Sequence, residues 1–227
     1  MGQALLRLCA QTTGCEVVAA ITRSSPSQRV VNGVPFFAAS EIGGAPAFDV
    51  AIDFSLPEGF DALLQACVSR GAALVSGTTG LSERQRADLD QASARIPVLW
   101  ASNFSLGVAV LADLVQRAAA ELGGWDCDVV EAHHAGKKDA PSGTALTLGE
   151  AAACSGAQAR YASIRAGDIV GEHTVQFTGP GERLELVHRA GSRDIFARGA
   201  IAAAVRLRGH PAGRYSLGQV LFQARHA

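Results

Sequence analysis

The sequence predicts an α/β chain in two parts: a parallel sheet with helices on both faces, then a smaller α+β part with a mainly antiparallel sheet. Three observations point there. Up to Ala101, short apolar strands alternate with helical patterns across short turns, as strand–helix–strand units do. Beyond Asp126, three runs alternate polar and apolar residues in the manner of half-buried antiparallel strands. No internal repeat or low-complexity tract interrupts either part. The 227 residues, 48% hydrophobic with a net charge of −1, can bury a substantial core.

In chain order, a helix is expected over residues 3–11 and a first strand over 16–21, followed by a polar loop from Arg23 to Arg29. Residues 48–53 read as a second strand. Pro57 opens a helix that runs through Arg70, and Gly71 stops it. Residues 72–76 form a third strand, Ser82 caps the next helix, and 97–101 form a fourth strand. In the second part, 126–131 is a strand and 142–154 a helix. Residues 161–165, 173–177 and 183–188 are the alternating strands, and an Ala-rich helix over 196–207 follows. Domain boundaries are expected at 1–104 with 197–227 for the first part and 105–196 for the second.

Composition excludes several functions. A near-neutral charge balance gives no reason to expect a nucleic-acid partner. The longest apolar run, 106–115, is broken by Asp113 and is too short to span a membrane. The first residues carry no basic leader or small-residue cleavage pattern. Five scattered cysteines, Cys9, Cys15, Cys67, Cys127 and Cys154, contain no Cys-x-x-Cys, so reduced thiols in a cytoplasmic enzyme are expected.

The chemistry concentrates in residues 131–145. His133 and His134 can move protons near neutral pH, Lys137 and Lys138 are cations, and Ser142-Gly143-Thr144 opens a helix whose first N–H groups suit an anion. The segment fits a small, multiply anionic substrate that gains or loses a proton. Lys138 is expected to be a solvated charge, His173 mainly structural or interface-forming, and His188 packed or on the surface. His210 and His226 lie in tail-like polar context. A zinc site on Glu131, His133 and His134 lacks a third ligand at standard spacing, so no metal is expected. In the first part, three strands end in Asp53-Phe54-Ser55, Ser76-Gly77-Thr78-Thr79-Gly80 and Ala101-Ser102-Asn103-Phe104-Ser105. Ligands of open parallel sheets bind beyond the carboxyl ends of strands, so these signatures describe a floor for a planar cofactor. The Gly-x-Gly-x-x-Gly turn of a dinucleotide sheet is not seen; Gly2 would be its last glycine, and its strand is expected to be missing. Where such sheets carry a ribose-binding acid stand Thr22 and Arg23, which tilts preference toward NADPH over NADH.

These residues resemble one family, the 4-hydroxy-tetrahydrodipicolinate (dihydrodipicolinate) reductases of bacterial lysine and diaminopimelate synthesis. The likeness covers almost the whole chain. It runs through Gly77-Thr-Thr-Gly80, Ser102-Asn-Phe-Ser-x-Gly107, Glu131-Ala-His-His and Lys137-x-Asp-Ala-Pro-Ser-Gly-Thr-Ala145, then Arg165-Ala-Gly-Asp-Ile-Val-Gly-Glu-His173 and Phe196-Ala-x-Gly199. The resemblance implies a Rossmann-like cofactor domain without its first strand, joined to a substrate-binding and oligomerisation domain. It also implies NAD(P)H-dependent reduction of a cyclic dicarboxylic imine by a homotetramer. By resemblance His133 is the proton donor and Lys137 the second catalytic cation, while His134, Gly143 and Thr144 bind substrate. Gly77, Thr78 and Thr79 with Ala101, Ser102, Asn103 and Phe104 line the nicotinamide, and Arg23 lies toward the cofactor's ribose. Two alternatives stay open on the residues alone. One is a relic that binds dicarboxylates but holds NAD(P)H poorly; the other is an amino-acid dehydrogenase on a similar scaffold.

Overall fold

A computed structural model describes residues 1–222. In chain order the elements are α1 (Gly2–Cys9), β1 (Ala20–Thr22), β2 (Val30–Val31), β3 (Val34–Ala38), a 3-10 helix (Ala39–Gly44), β4 (Val50–Asp53), α2 (Pro57–Arg70), β5 (Ala73–Ser76), α3 (Glu83–Ser93) and β6 (Pro97–Trp100). They continue with α4 (Leu106–Glu121), β7 (Asp126–His133), α5 (Gly143–Ala153), β8 (Ala159–Arg165), β9 (Glu172–Gly179), β10 (Glu182–Arg189), α6 (Asp194–Leu207), β11 (Gly213–Tyr215) and α7 (Leu217–Phe222). The chain divides into two compact units, Met1–Phe104 with Ala197–Ala227, and Ser105–Phe196.

The first unit is built on a parallel sheet of order β11-β6-β5-β4. Its strands are apolar on both faces because both are covered. Ala51, Leu74 and Val98 meet Phe60, Leu64 and Cys67 of α2 and Leu89 and Ala92 of α3. On the opposite face, Ile52 packs on Leu8 and Cys9 of α1 and Ala197 and Ile201 of α6. Local chemistry sets the helix ends. Pro57 sits at the start of α2, and Gly71 ends it in the left-handed region at φ 66°. Ser82 and Gln85 form a reciprocal capping box on α3.

Two expectations for this unit are corrected. The first strand begins at Ala20, not residue 16, and pairs with β3 in a separate three-stranded sheet of order β1-β3-β2. The polar loop after it leads into a hairpin: Asn32 and Gly33 both have positive φ, 50° and 80°, and join Val31 to Val34. That is the backbone of a two-residue turn whose twist matches the strands it connects. β11 and α7 carry too few residues to show a pattern in the sequence.

The second unit is a sheet of order β10-β9-β7-β8 with one face under α4 and α5. Cys127 and Val129, Val175 and Phe177, and Leu111, Val115, Ala145 and Leu148 form its core. The sheet is mainly antiparallel as expected, but the antiparallel reading of residues 161–165 is corrected, because β8 runs parallel to β7. A parallel neighbour needs a crossover, and α5 supplies it between the two strands. Alternation reports that one sheet face is open, and it carries no information on strand direction.

Candidate functional site

In the second unit the site begins on β7. Successive side chains alternate between faces, so Cys127, Val129, Glu131 and His133 share the inner one, and all four are buried. The register then chooses their neighbours. Glu131 lies opposite Ser163 of β8 and His173 of β9, His133 opposite Arg165 of β8, and His173 opposite His188 of β10.

Glu131 is the centre of this arrangement. Its carboxylate lies 2.5 Å from His133 Nδ1, accepts from both terminal nitrogens of Arg165 at 2.7 and 2.9 Å, and accepts the Ser142 backbone N–H at 3.3 Å. Burial pushes the carboxyl's pKa up, but hydrogen bonds from Arg165, Ser163 and His133 outweigh it and hold the value at about 2. Arg165 also donates to the backbone oxygens of Ile164 and Asp139, 2.7 Å each, which anchors the loop after β7. In that loop the Lys137 N–H donates to the His134 carbonyl at 3.1 Å, and Lys137 Nζ meets Asp139 Oδ1 at 2.7 Å. Lys137 in turn lowers the pKa of Asp139.

Three imidazoles stand in a row beside Glu131. The His133 and His173 rings meet edge to face with centroids 5.2 Å apart, and His173 and His188 follow at 6.4 Å. Two helix starts are tied to this row. Ser142 caps α5 through Ala145 N and lies 3.2 Å from His173 Nε2, while Ser105 caps α4 through Val108 N and lies 3.3 Å from His188 Nε2. Burial first, then repulsion from His133 and His188, lowers the His173 pKa to about 4, and burial lowers that of His188. His173 is therefore neutral at pH 7. Its buried Nδ1 has no partner. A bare lone pair there is tolerated better than a bare N–H, which favours the tautomer that donates from Nε2 to Ser142 Oγ.

His133 thus ends β7 and Lys137 lies in the loop that follows, with half-buried His134 between them and Gly143 and Thr144 at the first two positions of α5. First-turn N–H groups and the positive end of the helix dipole suit a carboxylate. Lys138 is exposed. Sequence reasoning missed the hydrogen bonds joining Glu131, His133 and Arg165, as well as the participation of Ser105 and His188. It also missed Gly171, where a Cβ would lie 3.1 Å from His133 Nε2. A signal for the first was present: an acid and a histidine two apart on a strand share a face. His226 lies outside the described residues.

In the first unit the three strand ends are in register, with Asp53 opposite Ser76 and Ser76 opposite Trp100. Buried Asp53 accepts from Ser76 Oγ and Thr78 Oγ1 at 2.8 Å and from the Ser55 N–H at 2.9 Å. Trp100 Nε1 donates to the Thr78 carbonyl at 2.8 Å. Gly77 lies flat on the Phe54 ring, where a Cβ would sit 2.4 Å from Cε1, and Phe54 meets Phe104 edge to face at 5.5 Å. These contacts join Gly77, Thr78, Thr79 and residues 101–104 at the carboxyl edge, where Thr79 and Ser102 are exposed while the side chains of Thr78 and Phe104 are buried beneath them. A flat surface with glycine backbone and short polar groups fits the nicotinamide end of a dinucleotide. Arg23 is exposed directly after β1.

Comparison with known proteins adds the ancestry. Residues 1–104 match the family model described as dihydrodipicolinate reductase, N-terminus, and residues 107–221 the one described as dihydrodipicolinate reductase, C-terminus. The chain is 70% identical over 215 residues to the 4-hydroxy-tetrahydrodipicolinate reductase of Xanthomonas campestris pv. campestris strain B100, covering 95% of this chain and 90% of that protein. It is 68% identical over 222 residues to the enzyme of the same name from Stenotrophomonas maltophilia strain R551-3, covering 97% and 93%. Among solved structures, a dipicolinate-bound dihydrodipicolinate reductase from Paenisporosarcina sp. TG-14 aligns with a TM-score of 0.81 at 21% identity over 97% of this chain and 94% of that one, which is likeness of fold. With both halves of the chain matched by its two models, and relatives this close over nearly all of its length, the chain belongs to the dihydrodipicolinate reductase family.

Proposed function

We propose that this chain reduces 4-hydroxy-tetrahydrodipicolinate, by way of dihydrodipicolinate, to tetrahydrodipicolinate in lysine and diaminopimelate biosynthesis, with NADPH as the preferred reductant and NADH as a second. The observation that carries the reading is the end of β7 together with the loop after it. It sets a buried histidine with an acid partner beside a lysine and a helix start, within a chain 70% identical to reductases of that name.

When bound, the reduced nicotinamide supplies a hydride to the substrate ring. Gly77, Thr78, Thr79, Ala101, Ser102, Asn103 and Phe104 hold the nicotinamide, and Arg23 lies toward the ribose. Lys137, His134 and the N–H groups of Gly143 and Thr144 bind the two carboxylates. Negative charge that grows on the ring during reduction is met by these fixed cations and dipoles. His133 Nε2 then delivers the proton that completes the reduction. The functional unit is a homotetramer in the cytoplasm. Tetramer assembly is supported by the outward face of the second unit's sheet, where Ile164 and Val187 are 50% and 42% exposed.

The test is loss of reduced-nicotinamide absorbance when the purified chain is given enzymatically generated 4-hydroxy-tetrahydrodipicolinate. Substrate-dependent oxidation, faster with NADPH than with NADH, is expected. Turnover only with an amino acid and oxidised cofactor would overturn the reading in favour of a dehydrogenase. Sedimentation of the pure chain as a monomer would overturn the tetramer.

A further inference from the structure

The proton donor assigned above is held by groups that the sequence motif does not name as partners. His133 meets Glu131 through Nδ1 at 2.5 Å. No hydrogen bond reaches its Nε2 among the described residues, and the side chain keeps 11% of its surface exposed. Beside Nε2 runs Gly171, whose missing Cβ leaves a gap that any other residue would fill to within 3.1 Å. The ring is therefore clamped on one nitrogen and left room on the other.

We propose that Glu131 is the positioning residue for proton delivery: it holds the proton of neutral His133 on Nδ1, so that Nε2 is the nitrogen that exchanges protons with substrate, in the space Gly171 leaves open. This inference rests on His133 being the proton donor. Arg165 makes the arrangement asymmetric. Its two terminal nitrogens occupy both carboxylate oxygens, and the Ser142 N–H adds a third donor, so the carboxylate acts as an acceptor toward every neighbour. A carboxylate that only accepts requires an N–H on the imidazole nitrogen facing it. The charged and titratable groups around His133 are Glu131 on its own strand, Arg165 on β8, His173 and then His188 on β9 and β10, and His134, Lys137 and Asp139 in the loop that follows. Glu131 is the only anion among them in contact with the ring.

A Glu131→Gln side chain keeps the shape but removes the charge, and its NH2 group replaces one of the two oxygens that now accept from Arg165. Replacement is expected to move the alkaline limb of the kcat profile to lower pH, because a charge against the ring is lost. It is expected to lower kcat at neutral pH about a hundredfold, the lower end of a general acid's contribution, with a much smaller change in KM. Glu131→Asp, which restores the charge, should return the limb toward its wild-type position. Gly171→Ala should lower kcat without moving the limb. Should Glu131→Gln fail to fold, nitrogen-15 NMR of the wild-type imidazoles at alkaline pH decides. Protonated Nδ1 and bare Nε2 on His133 support the proposal, and the opposite tautomer overturns it. An unchanged pH profile in Glu131→Gln, with His133→Gln inactive, would also overturn it while leaving the donor assignment standing. A fully active His133→Gln would overturn the donor assignment itself.

Discussion

Packing His173 between two further imidazoles makes the second unit acid-sensitive, with His173 the larger contributor and His188 the smaller. Its pKa falls from the ordinary 6.5 to about 4 because burial and neighbouring rings disfavour the charged form. The unfolded chain therefore binds more protons between those two values, and stability is lost as pH falls through that window. The full loss is roughly 3 kcal/mol for a shift of this size, at about 1.4 kcal/mol per unit. Glu131, held at about 2, loses its contribution only below the ordinary 4.5, so the two effects separate. Thermal midpoints measured from pH 6.5 down to 4.5 should drop in the wild type and drop less steeply in His173→Gln, where buried His188 remains. Parallel curves would contradict this. The residue scale was also where the sequence said most. Adjacent histidines, Lys137 and the Ser142 cap could be placed from spacing and capping rules alone. The bonds from Arg165 and His173 to this group could not, because they are made by strand register across dozens of residues.

At the scale of elements, α6 and the strand ends are coupled through one glycine. A Cβ on Gly199 would lie 1.7 Å from the Phe104 carbonyl oxygen, a backbone atom that cannot rotate away. Gly199→Ala must therefore push α6 from residues 101–104. It is expected to destabilise the chain by about 1–3 kcal/mol, the usual range for overpacking, and to weaken NADPH binding in calorimetry. An unchanged thermal midpoint would sink this account of Gly199. Helices were the more legible elements because their caps are local: Pro57, Gly71, Ser82 and Ser142 each mark an end that the structure keeps. Strands were less so. The Asn32-Gly33 turn was a visible hairpin signal, yet its two-residue β2 is too short to show a period. The direction of β8 depends on the α5 crossover rather than on its own residues.

For the whole molecule, each unit carries its own buried core, so each ligand should leave its mark on its own unit. Hydrogen exchange is the suitable probe. Pyridine-2,6-dicarboxylate is expected to protect amides within residues 134–145, and NADPH those within 53–55, 76–80 and 101–104. Protection by NADPH confined to residues 134–145 would contradict the division of labour. The fold class followed from the change in pattern near Asp126, because covered parallel strands and half-open strands differ in composition at every position. The separation of β1 from the main sheet was not legible, since the composition of a strand does not record which strand it pairs with.

In the proposed reaction His133 at the end of β7 and the loop after it perform the acid and anion-binding chemistry of the reduction. Steady-state kinetics of Lys137→Ala with enzymatically generated 4-hydroxy-tetrahydrodipicolinate tests it most directly. A fall in kcat/KM of about a hundredfold or more is expected for a lost transition-state cation, with NADPH affinity unchanged. Wild-type kcat/KM in that variant would contradict it.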